Sequence, residues 1–60
     1  MEQDVPIEVR GKKITISVYQ TSKSVWIAVG MYLDERIEVK RPTRGAAVKG
    51  WVDAARYRGN

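Results

Sequence analysis

The sequence predicts an α+β fold: a three- to four-stranded antiparallel meander sheet with one C-terminal helix packed on one face. Three observations predict it. Apolar and polar residues alternate through residues 14–19 (ITISVY) and 36–40 (RIEVK), the period of a half-buried strand. Pro42 then stops the sheet, because it cannot donate to a ladder. Beyond Thr43 the apolar spacing changes to that of a helix, with Ala47, Val48, Trp51, Ala54 and Ala55 on one stripe. The order expected is β-β-β-β-α.

Taken in order, residues 1–5 read as a flexible tail, residues 7–40 as the sheet and residues 43–58 as the helix, all in one domain spanning residues 1–60. The first strand is short, following Pro6, and Gly11 turns the chain. Ile14, Ile16 and Val18 form the buried side of the second strand. QTSKS is a polar loop. The third strand lies in SVWIAVGMYL, where β-branched and aromatic content outweighs Gly30 and favours strand over helix. LDER turns the chain into the fourth strand. Thr43 is the expected N-cap. Gly45 and Gly50 weaken the helix by about 1 kcal/mol each relative to Ala, so it depends on packing against the sheet.

The third strand poses the main question, since residues 24–33 hold one polar side chain and are apolar on both faces. Parity decides which face meets the helix. A turn closed by Asp34 and Glu35, or a four-residue turn over residues 33–36, sets Tyr32 opposite Ile37 and Gly30 opposite Val39. Directly opposed residues point the same way, so Trp26, Ala28, Gly30 and Tyr32 belong to the core. A three- or five-residue loop around Ser22 brings Ile14, Ile16 and Val18 to that side, opposite Gly30, Ala28 and Trp26, whereas a four-residue loop would break that agreement. Small residues let strand and helix approach, while Trp26, Tyr32 and Trp51 fill the ends.

The second face of that strand is then Val25, Ile27, Val29, Met31 and Leu33, flanked by Thr15, Ser17 and Tyr19 and by Arg36, Glu38 and Lys40. A contiguous apolar stripe on an open sheet marks an interface. The simplest partner is a second copy related by a two-fold axis, a homodimer. The alternative is that Met31, Arg36, Lys40 and the N-terminal tail fold over the stripe within one chain.

Composition narrows the rest. Sixty residues is near the lower limit for independent folding. There is no cysteine and no histidine, so neither disulfides nor the usual zinc ligands are at hand. Small chains without such staples gain their margin by oligomerising. The longest apolar run is shorter than the about 20 residues of a membrane helix. The acidic, polar opening MEQDVP reads as neither signal nor transit peptide. A cytoplasmic chain with no membrane partner is the expectation.

The net charge of +4 is unevenly placed. From Arg36 onward seven Lys/Arg face two acids, giving +5; before it four face five, giving −1. Lys40, Arg41 and Arg44 stand around the helix N-terminus, where backbone N–H groups favour an anion, and Lys49, Arg56 and Arg58 continue along the helix. These residues point to phosphate contacts without sequence reading. The plain reading is a solvated helix face with Arg44 and Arg58 lying over Trp51.

Catalytic chemistry finds little support. No phosphate loop, nucleophile elbow or metal spacing occurs. Asp34 and Glu35 are solvated turn carboxylates, and Ser22 and Ser24 have no histidine to activate them. Neither an enzyme nor a cofactor or metal site is expected.

The pattern of Gly11 in the first turn, Trp26 with Ala28, and Thr43 with Ala47, Ala54 and Ala55 resembles a loose class of very small bacterial proteins built of a β-meander and one helix. The layout is also similar to that of AP2-type and integrase N-terminal DNA-binding domains, which lay an open sheet in the major groove. Those domains carry Arg, Lys and Trp on the exposed strand positions. Here the positions are Ile27, Val29 and Met31, a departure that argues against sheet-in-groove recognition.

The function expected is therefore a small non-catalytic basic module, self-associating through the open sheet face and binding nucleic-acid phosphates through Lys40, Arg41, Arg44, Lys49 and Arg56. The alternative is a protein–protein interaction module or small inhibitor that docks a partner through the aliphatic stripe, with no nucleic-acid role.

Overall fold

The computed structural model describes residues 2–58, with the backbone alone for Arg58. Strands β1 (Gln3–Val9), β2 (Lys12–Ser22), β3 (Val25–Tyr32) and β4 (Glu35–Arg41) form an antiparallel meander in the order β1-β2-β3-β4, followed by helix α1 (Arg44–Arg58). This is the expected α+β architecture.

The connections explain the register. Arg10 and Gly11 (φ 51° and 82°) and Leu33 and Asp34 (φ 52° and 65°) both have left-handed backbone. Two-residue hairpin loops favour this conformation because it follows the right-handed twist of the strands. The third turn therefore lies one residue earlier than the acidic pair implied. Tyr32 pairs with Glu35, Gly30 with Ile37 and Ala28 with Val39. The expected pairings were displaced by two residues, which preserves the faces and changes the neighbours.

Between β2 and β3 the ladder shifts at Gln20/Ser22, leaving Thr21 as an extra residue before the turn at Lys23 and Ser24. A bulge puts one more residue on one strand than on its partner, so it reverses the parity a two-residue turn would impose. The result is Val18 opposite Ala28, on the core side. Here too the expected register, with Val18 opposite Trp26, is displaced by two and the face is kept. β2 reaches Ser22, well into the stretch expected to be loop.

The N-terminal expectation is corrected. β1 begins at Gln3, which pairs with Val18, so residues 3–5 are sheet and the first strand is seven residues long. Pro6 sits inside it opposite Thr15, as an edge strand permits because its outer side needs no donor. Met1 lies outside the described residues.

α1 crosses the sheet face that carries Val9, Ile16, Val18, Ala28, Tyr32, Ile37 and Val39, and seals it with Ala47, Trp51 and Ala55. Thr43 caps it: Ala46 N–H donates to Thr43 Oγ1 at 3.2 Å and Ala47 N–H to Thr43 O at 3.0 Å. Trp51 does not fill an end of the core. It is fully buried against Gly30, its Nε1–H donates to the Ile37 carbonyl at 2.9 Å, and its ring meets Tyr32 edge-on at 6.5 Å between centroids. An indole in a low-dielectric core needs a partner for its N–H, and this seat supplies one.

Candidate functional site

Strand alternation sorts the side chains into two sides of very different character. On the face away from α1, β1 contributes Asp4, Pro6 and Glu8; β2 contributes Lys13, Thr15, Ser17 and Tyr19; β4 contributes Arg36, Glu38 and Lys40. Between them on β3 lie Val25, Ile27, Val29 and Met31. Ile27 is flanked by Tyr19 and Lys40, Val29 by Ser17 and Glu38, and Met31 by Arg36. The first three stripe residues are half-buried by these flanks, whereas Met31 remains 57% exposed. β1 belongs to the sheet, so its residues do not fold back over the stripe.

Leu33 is placed differently from the other four. It lies in the β3–β4 turn, 55% exposed, with a left-handed backbone. That conformation is costly for a branched side chain, and turns of this kind ordinarily use Asn or Gly.

Charge is balanced on the open face. Lys13, Arg36 and Lys40 stand against Asp4, Glu8 and Glu38, three of each sign, and Arg36 reaches Glu38 at 3.6 Å. On the side of the sheet that carries the helix, Arg10, Lys12, Arg41, Arg44, Lys49 and Arg56 outnumber Glu35 and Asp53 by six to two, a net +4 among the described side chains.

The five cations expected to bind phosphate do not form one cluster. Lys40 is on the open face beside Ile27. Arg41 is on the other side of β4; its Nη1 donates to the Lys40 carbonyl at 2.8 Å, and its guanidinium lies close to Gly50 on the helix. Arg44 reaches back to β1, where its Nε donates to Gln3 Oε1 at 2.7 Å. Its guanidinium bonds to Gln3 at the helix start instead of lying over Trp51, and the side chain of Arg58 is outside the described residues. Lys49 and Arg56 are on the exposed face of α1 with Asp53 between them in sequence. The sheet thus divides Lys40 from Arg44, Lys49 and Arg56.

At the far end of the helix, Arg10 donates through Nη2 to the Arg56 carbonyl at 3.4 Å. A cation there complements the helix dipole. Nothing in the local sequence links a turn arginine to a helix 46 residues later, so this tie required the fold.

Among the described residues no group of three or more His, Cys, Asp or Glu is placed to hold a metal ion. The depression lined by Pro6, Ile7, Glu8 and Lys13 is open to solvent. No helix of the described residues is long and apolar enough to cross a membrane. No protein-family model, curated protein or solved structure matches the chain.

Proposed function

We propose that the chain is a non-catalytic binding module that pairs with a second copy through the open sheet face and offers its helix-bearing side to nucleic-acid phosphates. The observation that supports this reading is the separation of properties: an apolar stripe on a charge-balanced face, and the excess positive charge on the opposite side. A neutral apolar face can meet its own copy without net repulsion. A diffuse positive side suits backbone phosphates, which ask for charge rather than base-edge geometry. Arg41, Arg44, Lys49 and Arg56 carry the phosphate contacts, while Lys40 belongs to the rim of the paired face. A cytoplasmic setting, where nucleic acid is met, goes with this reading.

One observation favours a second reading. Asp53 accompanies Lys49 and Arg56 on the exposed helix face and weakens any anion held there. The module would then serve protein interaction, docking a partner through the stripe, with its charge incidental. Retention on immobilised duplex DNA or RNA separates the two. Phosphate binding by several cations falls steeply between about 50 and 200 mM salt. No retention at the lower concentration removes the nucleic-acid reading and leaves the protein-interaction one.

A further inference from the structure

We infer that the paired module is a bridge, holding two separate nucleic-acid segments on opposite sides rather than clamping one. The inference rests on the proposed pairing and phosphate binding, and concerns what the fold makes of them together. α1 and the stripe of Ile27, Val29 and Met31 occupy opposite faces of one sheet. Any two-fold axis that closes stripe on stripe therefore leaves both helices on the outside, pointing away from each other. The layers run helix, sheet, sheet, helix. With about 10 Å between packed sheets and a similar helix-to-sheet spacing, the two helix axes stand about 30 Å apart. One straight duplex cannot touch both basic sides.

A second copy fits the stripe better than a partner of one charge. The open face carries equal numbers of acids and bases, and along β4 the signs alternate as Arg36, Glu38, Lys40. A two-fold across the strands can set Lys40 of one copy against Glu38 of the other. Pairing through the helix-bearing sides would instead oppose two net-positive surfaces. The exposure of Met31 and of Leu33, the latter held in an unfavourable backbone conformation, leaves apolar surface at one end of the stripe for such a contact to bury.

The bridge is tested with an immobilised duplex and a free, labelled duplex of the same sequence at low salt. The intact protein should carry label onto the immobilised duplex. Ile27→Lys, which places an ammonium in the stripe, should bind the immobilised duplex as a monomer and carry no label. Met31→Glu, at an exposed position that tolerates a charge in the single chain, gives the same comparison if the first variant does not fold. A dimer that binds the immobilised duplex but carries no label overturns the bridge while leaving the proposed function standing. A protein that is monomeric by light scattering, or that binds no duplex, overturns the proposed function and the bridge with it.

Discussion

The indole of Trp51 lies against Gly30: a Cβ on Gly30 would come 3.1 Å from Trp51 Cζ2 and 2.7 Å from Ile16 Cγ2. Side chains cross the sheet–helix layer here because one strand residue has none. Gly30 thus sets the depth at which Trp51 can sit and reach the Ile37 carbonyl.

Gly30→Ala should destabilise the protein by about 1–3 kcal/mol, the usual cost of overpacking a filled core. Gly45→Ala is its control, since a Cβ there meets nothing within 4 Å. It should stabilise the helix by up to about 1 kcal/mol through propensity alone. Urea midpoints of the two variants should move in opposite directions. If both rise, the indole has room to shift and Gly30 is not what positions it.

Trp51→Phe removes the hydrogen bond to Ile37 O while keeping an aromatic ring near Tyr32. Ile37 faces Gly30 in the ladder, so its carbonyl keeps the Gly30 N–H, and the loss is the net worth of one hydrogen bond, about 0.5–1.5 kcal/mol. In a domain of this size each kcal/mol lowers the melting temperature by about 4–8 °C. A melting temperature within a degree or two of the parent would mean that the indole hydrogen bond adds nothing net to the ladder bond the carbonyl already accepts.

Much of this packing was legible in the sequence, and the misses share a cause. Period-2 alternation identified Ile16, Val18, Ile37 and Val39 as core, and Thr43 announced the helix start through its hydroxyl and the proline before it. Faces survive a register displaced by two because side-chain direction repeats every two residues. Register itself depends on turn conformation, and Leu33 is not a residue type that advertises a left-handed backbone, although Asp34 tolerates one. Val9, fully buried, escaped notice because a strand read as starting only after Pro6 shows too little of the alternation of Val5, Ile7 and Val9. The basic residues were legible as a count but not as a place. Lys40 and Arg41 are adjacent in sequence and fall on opposite sides of the sheet because strand neighbours do.

Ile27→Lys also tests the sheet itself. Ile27 is half-buried between Tyr19 and Lys40 on the open face, so a lysine stem can lie along its neighbours with the ammonium in water. The variant should stay folded and lose no more than about 1–2 kcal/mol of single-chain stability. Circular dichroism and light scattering together should report a folded monomer. An unfolded chain would show that the single chain depends on Ile27 packing between Tyr19 and Lys40, and Met31→Glu would then carry the comparison.

The β3–β4 turn sets stability against association. Left-handed backbone costs an L-residue other than Asn, Asp or Gly about 1–2 kcal/mol, and Leu33 adopts it while 55% exposed. Asn-Gly is the pair such turns prefer. The double substitution Leu33→Asn, Asp34→Gly should therefore raise single-chain stability by about 1 kcal/mol, read as a higher urea midpoint in the Ile27→Lys background where pairing is absent. In the otherwise unaltered chain it should weaken self-association, because it deletes apolar surface at the end of the stripe. A concentration series by light scattering measures the second effect. Greater stability with unchanged association would show that Leu33 stands outside the paired face, and the strain at this turn would then have no part in binding.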